Sequence, residues 1–163
     1  MFKLTSETSA CTIEVEESFI NLSSFLKNMM YDLNSWDNHD EPIVLNQDFD
    51  SVQKVYDLYS NFKDIEVNSI KLFDYMENNL DEYIEQYPMN NIDPPFHSEI
   101  IKYSDSHPID TLLPLVKLIE FLDMKGLMRV LGLSIAYQIK NMEDYDEKVR
   151  IFTLMRQRLG HIN

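Results

Sequence analysis

Four histidines, one cysteine and a surplus of carboxylates are the side chains here that could do chemistry. His39, His97, His107 and His161 stand apart in polar stretches or near the end of the sequence. No two share the i, i+4 spacing that turns a pair of imidazoles toward one metal on a helical face. Cys11 is alone, which excludes an internal disulfide and a cysteine-based zinc site. Within the alternating run Ala10-Cys11-Thr12-Ile13-Glu14-Val15 it reads as a small buried hydrophobe rather than a nucleophile. The carboxylate groups Glu14/Glu16, Asp81/Glu85 and Asp144/Asp146/Glu147 lie in charge-rich runs, whereas an acid–base pair needs one member desolvated. Residues 141–147 lack the central glycine and the ligand alternation of a calcium loop. Gly126, Gly132 and Gly160 are the only glycines, too few and too scattered for a phosphate-cradling loop or a dinucleotide fingerprint. These residues predict a chain with no catalytic site, metal or cofactor.

Composition points the same way. A hydrophobic share of 44% over 163 residues is enough for a real core in one domain of ordinary size. A formal charge of −14 disfavours nucleic acid and anionic membranes as partners and suits a soluble subunit that meets basic protein surfaces. The N-terminal residues lack the apolar run of a signal peptide, and no stretch approaches the roughly 20 apolar residues of a membrane span. A cytoplasmic or nuclear location is expected.

The elements that must position any partner surface follow from periodicity. Residues 2–6 and 11–17 alternate as two short strands around Glu7-Thr8-Ser9. Phe19, Leu22, Phe25, Leu26, Met29, Met30 and Leu33 mark one face of a helix from Phe19 to Leu33. An acidic loop, Asn34 to Glu41, ends at Pro42, and Ile43-Val44-Leu45 is a brief strand. Asp48 or Asp50 caps a helix running to about Phe62. Helical spacing returns from Ile70 to Tyr87 and stops at Asp93-Pro94-Pro95, after which Phe96 to Lys102 is expected to lie extended across the fold.

The richest stretch is Thr111 to Lys140, which predicts two apolar helices. Asp110 or Thr111 caps the first, and Gly126 supplies a left-handed turn after Met124-Lys125. Leu127, Val130, Leu131, Ser134, Ile135 and Ile139 then form a continuous stripe that must be buried, against the rest of the domain or against a partner. Met124, Met128, Met142 and Met155 add thioether flexibility suited to a surface that adapts to partner helices. A final helix spans about Asp146 to Leu159. The class is α+β with helices dominant.

The segment Phe121-Leu122-Asp123-Met124-Lys125-Gly126-Leu127 resembles the YLDIKGLL block of the Skp1 family, adaptors that link F-box proteins to cullin in SCF ubiquitin ligases. Ile135-Ala136 and Ile139-Lys140 are similar to that family's VANMIKGK. Lys3-Leu4, Glu14-Val15 and Lys27 to Leu33 resemble its KL, EV and KTMLEDL, and the acidic loop before Pro42 resembles its loop before PVPL. Residues 96–102 resemble its PVWDQEFLK, so the likeness covers residues 1–62 and 95–152 in order.

The resemblance implies a BTB/POZ fold, a small three-stranded sheet with helices, over residues 1–125 with an insertion at about 63–93. Residues 126–163 then form a C-terminal helical Skp1-like dimerisation and F-box-binding region. It further implies F-box contacts at or beside Leu112, Val116, Met128, Ile135, Ile139, Val149 and Phe152, and cullin contacts at Glu120 and Phe121. Glu120 places a charge where the family has an amide. The expected function is a non-catalytic adaptor for an F-box protein and a cullin. The alternative is a BTB-type scaffold that self-associates, as a homodimer when unpartnered, with no ubiquitin-ligase role.

Overall fold

Alternation at the N-terminus builds the first strand as expected, while the second starts and ends two residues earlier than expected. In β1 (Phe2–Ser6) the side chains of Phe2, Leu4 and Ser6 point inward. β2 (Ser9–Val15) returns antiparallel with Phe2 opposite Val15 and Leu4 opposite Ile13, and Cys11, expected to be buried, is exposed because only Ile13 and Val15 of this edge strand reach the core. The computed structural model describes residues 1–32, 41–78 and 96–159. β3 (Ile43–Leu45) lies parallel to β1 on its other side, giving the order β2-β1-β3. A parallel neighbour needs a crossover. Its first half is α1 (Glu17–Leu22) and α2 (Ser24–Asp32). The chain is thus α+β, with a small three-stranded sheet and several helices.

The single helix expected from Phe19 to Leu33 is two. Ser23 turns extended, with φ −102° and ψ 115°, and ends α1. Its fully buried hydroxyl donates to the Leu122 carbonyl at 2.5 Å and accepts from the Leu26 N–H at 3.0 Å, so it caps α2 while tying it to a distant turn. Leu33 itself, with the acidic loop that follows, lies outside the described residues.

α3 (Phe49–Phe62) matches its expected span and buries Val52, Val55, Leu58, Tyr59 and Phe62. Asp48, not Asp50, is the cap: it accepts from the Ser51 N–H at 2.9 Å, and that bond holds its carboxyl below the ordinary range. Two short strands follow, β4 (Glu66–Val67) and β5 (Ile70–Lys71), joined through Asn68 and Ser69 at φ 51° and 65°. The helix expected from Ile70 begins only at α4 (Leu72–Asn78), because Ile70 and Lys71 are paired as strand. Its continuation to Tyr87 falls outside the described residues.

The segment expected to be extended after Pro95 is helical instead. α5 (His97–Ser106) buries Ile100, Tyr103 and Ser104, a spacing too short to stand out among its polar neighbours.

The expected first helix of the pair is also divided. α6 (Ile109–Leu112) follows Pro108, so neither Asp110 nor Thr111 is the cap. Pro114 cannot donate a backbone hydrogen bond, and it stands instead at the N-cap of α7 (Leu115–Phe121). The turn after α7 is made by Asp123 at φ 49°, not by Gly126. Met124 N–H reaches the Ile119 carbonyl at 3.2 Å and Asp123 N–H the Glu120 carbonyl at 3.0 Å, the two bonds of a Schellman motif. Gly126 lies inside the first turn of α8 (Lys125–Asn141), pressed against α4. A Cβ there would stand 2.9 Å from the Phe73 carbonyl oxygen. Close helix packing, not backbone freedom, is what Gly126 provides.

One cluster of buried side chains runs from Phe2 on β1 to Ile135 on α8 and Ile151 beyond it. Among the described residues no helix is long and apolar enough to cross a membrane.

Candidate functional site

The last helix, α9 (Tyr145–Leu159), starts where Asp144 can hold it. The Asp144 carboxylate accepts from the Asp146 and Glu147 N–H groups at 2.9 and 3.1 Å. Asp146 and Glu147 in the first turn suit the positive end of the helix dipole. One side of α9 seats the fully buried Ile151 with the half-buried Leu154 and Met155. Arg150 clamps this side: it donates to both Asp110 carboxylate oxygens, at 3.0 and 3.2 Å, and to Glu147. The Arg150 guanidinium lowers the Glu147 carboxyl below its usual range.

The other side of α9 exposes three large apolar side chains, with Arg156 next along the same face. Tyr145, Val149 and Phe152 follow i, i+4, i+7 spacing and are 76%, 46% and 55% exposed. Large apolar side chains lined along one outward helical face make this a candidate docking surface.

A second exposed apolar point lies at the end of α7. Phe121 is 44% exposed and packs on Phe25 of α2, with ring centroids 4.6 Å apart and a 48° tilt. Glu120 beside it is exposed.

No family model matches the chain, and no curated protein or solved structure is detectably similar to it.

The residues that the resemblance designates therefore divide by burial. Leu112, Val116 and Ile135 belong to the core of the chain itself. Met128 and Ile139 are half-buried on α8 against that core. Val149 and Phe152 are outward on α9, and Glu120 and Phe121 are outward on α7. Tyr145 and the half-buried Phe25 complete the two groups; the sequence marks Phe25 only as part of a helix's apolar face and neither residue as a partner contact. The Tyr145, Val149, Phe152 spacing was the signal for the first of these. Phe25 carried none, because its contact with Phe121 crosses most of the chain.

The histidines within the described residues are absorbed locally. His107 stacks on Tyr103 at 4.0 Å, and its Nδ1 lies 2.9 Å from the Tyr103 carbonyl. Its own carbonyl accepts from Gln138 at 2.8 Å. His97 meets Tyr137 edge-on at 6.1 Å. Among the described residues no group of three His, Cys, Asp or Glu side chains could hold a metal ion.

Proposed function

We propose that this chain is a non-catalytic adaptor of the Skp1 type: a BTB/POZ-like body whose C-terminal helices hold an F-box helical motif, with Phe121 and Glu120 toward a cullin. The observation that carries the reading is the outward stripe Tyr145, Val149 and Phe152 on α9, an apolar seam of the kind a partner helix covers. Two further features support it. The three-stranded sheet β2-β1-β3 with its helices is compatible with the small sheet and helices that the resemblance implies. The Phe121–Leu127 block, whose likeness suggested the family, forms the turn that sets α7 against α8.

The test is a one-to-one complex between the purified chain and F-box peptides, measured by calorimetry and size exclusion. Phe152→Asp removes apolar contact and puts a charge in the seam, so binding should fall about 100-fold with the circular dichroism unchanged. A folded chain that takes up no F-box peptide, or a Phe152→Asp variant that binds as well as the parent, refutes the adaptor reading. A stable homodimer by light scattering in place of F-box binding would establish the scaffold reading.

A further inference from the structure

The seam on α9 has spacing that reads the same in both directions. Tyr145, Val149, Phe152 and Arg156 stand at i, i+4, i+7 and i+11 along one exposed face. Charge along the same helix reverses from end to end. Glu143, Asp144, Asp146 and Glu147 gather at its start, and no acidic side chain follows Lys148 in the sequence. Residues 143–158 balance four acids with four bases, a neutral stretch in a chain at −14. Glu147 and Arg150 are engaged with each other, and Arg150 also with Asp110, which holds α9 to the body. Asp146 and Arg156 are exposed and have no ion pair among the described residues.

A helix that covers this face must match its apolar steps and carry its charges in the opposite order. A second α9 run antiparallel does both. About a two-fold axis level with Arg150 and Ile151, Val149 of one copy would meet Phe152 of the other, a small side chain against a large one. Tyr145 would meet Arg156, whose guanidinium can lie over the phenol ring. Asp146 would stand beside that same Arg156 and supply its missing carboxylate. Each contact occurs twice, as a two-fold interface requires. A parallel pair would instead set Arg156 against Arg156 and Asp146 against Asp146.

We infer that the α9 seam of the free chain is closed by the seam of a second copy, antiparallel and in this register. Self-pairing takes the seam from the adaptor reading but not its F-box occupant, and the two occupants exclude each other. The dimer thus keeps the apolar row covered until a tighter partner displaces it. An anionic bilayer or a nucleic acid fits less well, because Asp146 borders the seam and the chain is at −14 overall. Repulsion between two such chains is screened beyond about 8 Å at physiological salt, and the stretches that touch are neutral. Four side chains from each copy make a small interface, so the dissociation constant should be on the order of 10–100 μM.

The experiment is sedimentation of the full chain at physiological salt, from about 1 μM to about 1 mM so as to bracket that constant. Asp146→Arg and Arg156→Asp should each weaken the dimer about tenfold, because each puts like charges at both ends of the pair. An equimolar mixture of these two variants should recover association to within about fivefold of the parent, with circular dichroism unchanged throughout. Phe152→Asp should abolish the dimer. A parent chain that stays monomeric, single variants that associate as the parent does, or a mixture no better than its parts overturns the inference. An F-box peptide keeps the two readings apart. Peptide binding by a chain that never dimerises leaves the adaptor standing and removes the dimer, while a dimer with this charge pattern and no uptake of peptide does the reverse.

Discussion

Replacing glycine by alanine at two places on α8 should move stability in opposite directions. At Gly126 the added methyl would lie 2.9 Å from the Phe73 carbonyl oxygen and 3.3 Å from the Phe73 Cα and Cβ. Most of those atoms are backbone of α4, which is anchored by the buried Leu72, Phe73, Tyr75 and Met76. Relief therefore requires α4 and α8 to move apart, an overpacking cost of about 1–3 kcal/mol. Against this stands only a fraction of the roughly 1 kcal/mol gain in propensity of a helix interior, because Gly126 is the second residue of α8. Gly126→Ala should thus be destabilising by about 1–2 kcal/mol. At Gly132 the methyl meets nothing within 4 Å, so the propensity gain of about 1 kcal/mol stands alone. The two variants should differ by about 2–3 kcal/mol. For a chain of 163 residues each kcal/mol moves Tm by about 2–4 °C. Calorimetry should then place the Gly132→Ala midpoint about 4–12 °C above that of Gly126→Ala, with the parent between them. A Gly126→Ala protein as stable as the parent would show that α4 and α8 are not in the contact described, and the reasoning would fail.

Two other outcomes follow from buried polar groups. Ser23→Ala removes the donor to the Leu122 carbonyl and the acceptor for the Leu26 N–H, and should lower the unfolding free energy by about 1–3 kcal/mol in urea titrations. Burial, with a smaller contribution from Asp57, pushes the Tyr103 hydroxyl up to about 12. An unfolded tyrosine ionises near its ordinary value of about 10, so between these values the unfolded state loses a proton that the folded state keeps. Stability should therefore fall as pH rises from about 10 to 12. Tyr103→Phe should flatten that fall, and should delete a late tyrosinate step in absorbance at alkaline pH.

Local rules recovered the elements whose causes are local. β1 was legible because Phe2 and Leu4 alternate with polar residues, and α3 because Asp48 precedes a regular apolar face. The break at Ser23 was not, since the partner of its hydroxyl is the carbonyl of Leu122. The left-handed turn was assigned to Gly126 by the usual preference for glycine. The demand of Phe73 for close approach took that glycine, and Asp123 adopted the positive φ instead. The partner surface was legible only in part for a related reason. An apolar stripe shows that a helix face must be covered, not whether the chain itself covers it. Leu112, Val116 and Ile135 are covered internally, while Val149 and Phe152 are not.

The bond from Ser23 to Leu122 also bears on how the chain is made. It joins residues 99 apart, and Ser24 N–H lies 3.5 Å from the Asp123 carbonyl beside it. On a ribosome adding about 5–20 residues per second, the buried hydroxyl of Ser23 waits some 5–20 s for its acceptor to be synthesised, and longer for it to emerge. Until then the Ser23 hydroxyl can hold the Leu26 N–H, but its own proton lacks the Leu122 acceptor. The sheet hairpin can form early, while the corner between α1 and α2 gains its tie to the α7–α8 turn only late. The turn that resembles the family signature thus acts as a late clasp: its loss should weaken that distant corner by about 1–3 kcal/mol.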